Sequence, residues 1–334
     1  MTRLSRTVRR GTELPVSPAD VAGASRTIGN RLHRSPLLSS ATLGRSYGGR
    51  AYLKAELFQR TGSFKPRGML AKLASLNAFE RARGVVTISA GNAAAALAYG
   101  AALEGIDCLV VMWRGASEMK AAAARSYGAT VDQEASGPAE AFARVAELQE
   151  QSGRIFVHGF DDPVVIAGHG SLGLELLEDR PDLDGIVVPV GGGGLISGIA
   201  TAVKGARPDV RVIGVEPEAS HALHAALAAG EPVPVEPTSL ADGLNAPFAG
   251  ENTLAICQAL VDDWIRVSEA EIRAGFRFLY ERAKLAAEAA GAVSVAAILA
   301  GKVPDIEGKT IVSVVSGGNI DAEMASAILR ANEG

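Results

Sequence analysis

Short runs of apolar, largely β-branched residues alternate along this chain with longer stretches that mix apolar and polar residues. The runs at 50–53, 85–89, 108–112, 186–190, 210–215 and 310–315 predict six strands. Between them, stretches rich in Ala, Leu, Glu and Arg at 93–103, 139–151, 195–203 and 268–289 predict helices. Strands apolar on both faces and separated by helices predict an α/β fold of open, twisted, mostly parallel sheets covered by helices. The segment 80–160 carries a strand–helix series of its own, after which the chain starts another. Two lobes are therefore expected: a discontinuous large domain, 1–79 with 161–334, and a small domain, 80–160. Pro232, Pro234 and Pro237 mark a long loop.

Composition narrows the function classes. The 334 residues carry 33 Lys and Arg against 37 Asp and Glu, a formal charge of −4, which argues against a nucleic-acid partner. No apolar core of signal-peptide length follows the N-terminal arginines, and no apolar run reaches the about 18 residues needed to span a bilayer, so neither secretion nor a membrane is expected. Two cysteines, Cys108 and Cys257, cannot build a disulfide framework, and a cytoplasmic address is expected. Arg3, Arg6, Arg9 and Arg10 read as a solvated tail. The 38 glycines exceed common usage without a Gly-X-Y period, which suggests tight turns or backbone that approaches a ligand.

The strongest local signal is Gly191, Gly192, Gly193 and Gly194, directly after a predicted strand, with a helical run beginning at Leu195. Glycines here let successive N–H groups aim at one point, and the helix start adds unpaired donors and the positive end of its dipole. That is an anion site; close strand–helix packing is the competing explanation. A dinucleotide fingerprint fails, because Ile196 or Ser197 stands where its last glycine belongs. A nucleotide P-loop fails too, because Leu195 and Ile196 replace its Lys and Ser/Thr. A compact monophosphate such as that of pyridoxal phosphate remains open. That cofactor needs a lysine for its Schiff base. Lys65 has the most suggestive setting, bracketed by Gly62 and Gly68, preceded by Phe64 and followed by Pro66. Desolvation there would lower the amine's pKa and free it for attack; a solvated surface lysine is the plain alternative.

The string from Gln59 to Gly68 resembles the Schiff-base motif of the threonine dehydratase and serine racemase family. That family belongs to the tryptophan-synthase-β-like, fold type II pyridoxal-phosphate enzymes. Ser89-Ala90-Gly91-Asn92, His158 to Pro163, the glycine run and Ser316-Gly317-Gly318-Asn319 follow in the family's order. The resemblance implies two lobes with the cofactor in the cleft between them. It implies that Lys65 holds the cofactor and removes the Cα proton of substrate. Phe64, Asn92, Glu288 and Ser316 are implied as further cofactor contacts, with the N–H groups of Gly191, Gly192, Gly193, Gly194 and Leu195 on the phosphate. Ser89, Ala90, Gly91, Asn92 and Ala93 are implied to bind the substrate. A hydroxyl at Ser316, opposite the pyridine nitrogen, makes the ring a weak electron sink, which suits elimination.

Four departures from the family pattern matter. Ala90 stands where serine racemase has a proton-donating serine, so racemisation should be weak. Ala93 replaces a usual histidine and opens space for a bulkier β substituent. Glu216 matches an acidic residue of the family's divalent-cation site, but Ala222 replaces its aspartate; no metal is expected, and Glu216 is read as a residue of a solvated turn. His169 replaces a glutamine and is read as a turn residue; His221 and His224 could share a helical face without completing a metal site. The chain stops soon after Ser316, so feedback control through a C-terminal domain is not expected. The expected protein is a homodimeric ammonia-lyase acting on a β-hydroxy-α-amino acid: threonine, serine, or a bulkier relative such as 3-hydroxyaspartate or phenylserine. A racemase or β-replacement synthase of the same fold, and a non-catalytic cofactor-binding protein, are its rivals.

Overall fold

The computed structural model describes residues 13–331, so the arginines of the N-terminal tail lie outside the described residues. The β-branched runs form two separate sheets. Six strands run in the order β1-β2-β10-β7-β8-β9: β1 (Leu37–Ser39), β2 (Arg50–Ala55), β7 (Gly185–Pro189), β8 (Arg211–Pro217), β9 (Asp263–Val267) and β10 (Thr310–Val315). Every pairing in it is parallel except that of the edge strand β1 with β2. Four parallel strands form the second sheet in the order β5-β4-β3-β6: β3 (Val85–Ile88), β4 (Cys108–Trp113), β5 (Thr130–Ala135) and β6 (Ile155–Phe156). The fold is α/β, and all six expected strands are present.

Apolar clusters cover the six-stranded sheet, one built on Leu53, Val187, Val215 and Val293, the other on Ile186, Val188, Ile199 and Val312. A third, around Val85, Leu97, Val110 and Met112, fills the smaller sheet. Side chains cap the helix starts: Asp162 Oδ1 accepts from Val164 and Val165 N–H ahead of helix Pro163–Asp179, and Ser268 with Glu271 forms a reciprocal capping pair.

One expected helix is broken. The stretch 268–289 is α-helical over Glu269–Phe278, widens into a π turn over Leu279–Ala283 and stops at Lys284, whose φ is +60°. The pattern is continuous in polarity, but the chain must turn here so that Glu288 can begin the next helix, Ala289–Leu299, against β10. Cys108 and Cys257 are buried and unpaired. Among the described residues no helix is long and apolar enough to cross a membrane.

In a parallel sheet the carboxyl ends of the strands all lie on one side, and the loops leaving them can converge. The sequence signals sit at these ends: the glycine run after β7, Ser316 after β10 and Ser89–Asn92 after β3.

Candidate active site

Lys65 is positioned by two loops zipped together. Phe64 N–H donates to Ser316 O (3.1 Å), Gly318 N–H donates to Gly62 O (2.9 Å), and Ser63 pairs with Gly317 across an antiparallel bridge. Asn319 Nδ2 donates to Thr61 O at 2.7 Å. Gly62 has φ +73°, and a Cβ there would lie 2.4 Å from Asn319 Oδ1, so glycine is required twice over. Pro66 opens helix Pro66–Ser75, where its missing N–H costs nothing. Lys65 itself takes helical angles (φ −53°, ψ −37°), which a following proline disfavours. The bonds from Arg67 N–H to Phe64 O and from Met69 N–H to Lys65 O hold it there.

The Lys65 ammonium donates to Gly159 O (2.7 Å) and lies 5.1 Å from the Phe64 ring centre. Burial lowers its pKa to about 8, against an opposing pull from Glu288. Gly159 is presented by a turn that His158 organises, its Nδ1 accepting from Phe160 and Asp161 N–H at 3.2 and 2.8 Å. Burial lowers the His158 pKa, which favours the neutral ring that accepting requires.

Phe160 links this turn to the glycine run. A Cβ on Gly192 would lie 2.5 Å from the Phe160 ring, and one on Gly194 would lie 2.8 Å from Phe160 O. Thr253 would clash with a side chain at Gly193 (2.8 Å), and Leu244 backbone would stand 3.0 Å from one at Gly191. Close packing therefore demands all four glycines. Their geometry also makes an anion cradle: Gly193 has φ +94°, helix Gly194–Ala206 starts directly after it, and the first helical N–H to find its carbonyl is that of Ser197, on Gly193 O (3.0 Å). The donors before it are the orphans of a helix start.

Asn92 is the first residue of helix Asn92–Glu104, with Gly91 at its cap. Its side chain does not cap that helix. Nδ2 donates to Glu288 Oε1 (2.7 Å), and Oδ1 accepts from Asn319 Nδ2 (2.8 Å). Glu288 is 2% exposed, its N–H donates to Gly317 O (3.1 Å), and burial raises its carboxyl to about pKa 7. Ser316 is buried at the end of β10. Three buried oxygens around Lys65 and Ser316 have no hydrogen-bond partner: Thr61 Oγ1, Ser63 Oγ and Glu288 Oε2. Orphaned polar atoms beside an amine and a backbone anion cradle fit a small polar ligand with an aldehyde and a phosphate.

In the loop after β3, Ser89 Oγ accepts Gly91 N–H (3.1 Å), and a Cβ on Gly91 would meet nothing nearer than that oxygen, 4.0 Å away. Ala90 brings no hydroxyl. The Ala93 methyl lies 3.7 Å from where a Cβ on Gly159 would stand, so this loop borders the carbonyl that holds Lys65. Lys65, Phe64, the glycine run with Leu195, Asn92, Glu288, Ser316 and the Ser89–Ala93 loop are thus joined by a chain of contacts that runs through Gly159, Phe160, Gly317 and Asn319.

Three expectations fail. Glu216 is not in a solvated turn: it is 1% exposed in β8, and its two oxygens accept Leu223 and His224 N–H, both at 2.9 Å. Burial raises it to about pKa 8. With both oxygens on the start of helix Ala222–Ala229 and a methyl at Ala222, these residues do not supply the several oxygens a hard cation takes. His169 is not in a turn but in the middle of helix Pro163–Asp179, wholly buried, edge-on to Phe64 at 4.8 Å. Neither nitrogen has a partner, and burial holds its pKa well below the usual histidine range. His221 precedes helix Ala222–Ala229 rather than sharing its face with His224.

Gly159, Phe160, Thr253 and Asn319 escaped assignment from sequence. The first two and Asn319 lie in quoted strings, which was the available signal; Thr253 has no local one.

Comparison with known proteins agrees with this geometry. The family described as "Pyridoxal-phosphate dependent enzyme" matches residues 29–317. The L-threonine ammonia-lyase of Thermotoga maritima is 46% identical over 312 residues, 93% of this chain and 77% of that protein. The catabolic L-threonine dehydratase of Escherichia coli K12 is 43% identical over 318 residues, covering 95% and 97%. The structure of maize serine racemase superposes with a TM-score of 0.90 at 34% identity, covering 94% and 96% of the two chains. The chain belongs to the pyridoxal-phosphate-dependent enzymes, in the branch of threonine dehydratases and serine racemases, and pyridoxal phosphate is its cofactor.

Proposed function

We propose that this enzyme is an ammonia-lyase that converts L-threonine, and L-serine less readily, to the 2-oxo acid and ammonia by α,β-elimination. The observation that carries this reading is Lys65: an amine turned inward onto Gly159 O, lowered to about pKa 8, beside the glycine turn and a loop that offers a methyl at Ala90. When bound at Lys65, the cofactor supplies an electron sink for the electrons of the Cα–H bond. In this reading the N–H groups of Gly191, Gly192, Gly193, Gly194 and Leu195 would hold its phosphate, and Asn92, Glu288 and Ser316 would hold its ring. Residues 80–160 form a small lobe that brings Ser89 and its loop onto the substrate carboxylate.

Once the substrate's amino group has displaced it, the Lys65 amine is free to accept the Cα proton and to pass it to the departing β-hydroxyl. The β-hydroxyl departs as water, and hydrolysis of the enamine so formed returns one water and liberates ammonia. Ala90 has no hydroxyl with which to donate a proton, so return of a proton to the other face of Cα is disfavoured. The names of two relatives, L-threonine ammonia-lyase and L-threonine dehydratase, support threonine as the substrate; the methyl at Ala93, in place of the family's usual histidine, is the reason to test bulkier ones. Two buried, unpaired cysteines suit a cytoplasmic address, and a homodimer, read by light scattering, completes the proposal.

The experiment is ketoacid release from a panel of threonine, serine, 3-hydroxyaspartate and phenylserine, with chirality analysis of the residual amino acid. Rapid 2-oxobutanoate from L-threonine is expected. Abundant D-serine from L-serine with little pyruvate would instead favour the racemase reading, which the likeness to maize serine racemase keeps alive.

A further inference from the structure

Helix Glu118–Ser126 follows β4 in the four-stranded sheet and packs on helix Asn92–Glu104, whose first residue is the site's Asn92. Lys120 lies in its first turn, 6% exposed. Its ammonium donates to Asp242 Oδ2, a carboxylate 122 residues further along the chain and still more than half exposed. Asp242 opens the short turn Asp242–Leu244, which belongs to the other side of the site. Leu244 backbone stands against Gly191, and a Cβ on Gly243 would lie 3.6 Å from Glu288 Oε1. Both charges of the pair bear on the Glu288 carboxyl, with opposite sign. This ion pair thus joins the helix between β4 and β5 of the small sheet to the turn that flanks both the glycine run and Glu288.

We propose that Lys120 and Asp242 are a positioning pair: their contact holds helix Glu118–Ser126, and through it the Ser89–Ala93 loop, closed onto the Lys65 site. The physics is asymmetric. In the closed arrangement Lys120 has lost its water, and Asp242 offsets that loss; without Asp242 an unpaired ammonium is buried, and opening the helix relieves it. Without Lys120, Asp242 merely returns to solvent. The inference rests on the elimination reading only where catalysis is the readout.

The test is hydrogen exchange of residues 118–126 in the holoenzyme without substrate, together with kcat and KM for L-threonine. Asp242→Asn should speed exchange there and lower kcat/KM by about 10- to 100-fold, chiefly through KM, with the cofactor absorbance band retained. Lys120→Met alone should do less, and adding Lys120→Met to Asp242→Asn should reverse most of both effects. Asp242→Glu, which keeps the charge, should stay near the parent and serves if Asp242→Asn does not fold. Unchanged exchange in Asp242→Asn, or no rescue by Lys120→Met, overturns the proposal. Absent turnover of L-threonine in the parent, with exchange behaving as stated, overturns the substrate reading instead.

Discussion

Lys54 and Lys65 are eleven residues apart, both drawn inward, and they have opposite surroundings. Lys54 has no exposed surface; its ammonium meets Ser35 O at 2.9 Å, Glu175 at 2.8 Å and Asp179 at 3.4 Å. It belongs to a buried charge cluster in which Arg67 grips Glu56 at 2.8 and 2.9 Å and Glu175 at 2.7 and 3.0 Å. Lys65 has a carbonyl and an aromatic ring, and among the described residues no carboxylate within ion-pair distance. The first cation is matched by charge and has a structural role. The second is desolvated without a matching charge, so its proton is loosely held and its nitrogen is available. Burial alone does not make a reactive lysine; burial without a counterion does.

The comparison is broken most directly by Lys65→Ala. Release of 2-oxobutanoate should fall by about 10²- to 10⁴-fold, and borohydride should no longer fix the cofactor to the chain. A retained rate would remove Lys65 from the chemistry. Lys54→Met should do the converse: cofactor fixation at Lys65 persists, while urea denaturation shows a loss below the about 3–5 kcal/mol of a fully stranded buried charge. The loss is smaller than that limit because Glu175 keeps Arg67 and Asp179 keeps Arg34.

Titration sharpens the contrast in cofactor-free protein. The Lys65 pKa is depressed from 10.5 to about 8, so between those values the unfolded chain binds more protons and stability rises with pH. Glu216 is raised from 4.5 to about 8, so its contribution is full below 4.5 and is lost as pH climbs through 8. Thermal melts of Lys65→Met should lack the alkaline rise, and those of Glu216→Gln should flatten between 4.5 and 8. A slope unchanged in either variant would show that the group titrates normally. The smallest expected effect is on stereochemistry: Ala90→Ser should increase D-serine formed from L-serine, seen by chiral chromatography, with elimination still dominant.

Much of this architecture was legible because it is local. The six predicted strands are runs of β-branched residues whose pattern suffices to specify a two-faced buried strand. The strands not foreseen, β1, β5, β6 and β9, are two to six residues long, and their residues are mostly not fully buried, so their apolar pattern is faint. The break at Lys284 was invisible because no proline or glycine announces it; the need to deliver Glu288 to the site imposes it. In the same way Glu216 looks like any strand-end acid until its two oxygens are found on the start of a helix seven and eight residues on.

By itself the amino-acid order settled the alternation of strands and helices, the glycines after β7 and the lysine before Pro66, because these depend on side-chain size, backbone freedom and neighbours a few residues away. Only the tertiary structure decided which groups share a charge environment. The contacts of Lys65 with Gly159, Asn92 with Glu288 and Lys120 with Asp242 span 94, 196 and 122 residues. Desolvation and electrostatic coupling act through space, and they are set only once the two sheets have brought their carboxyl ends together.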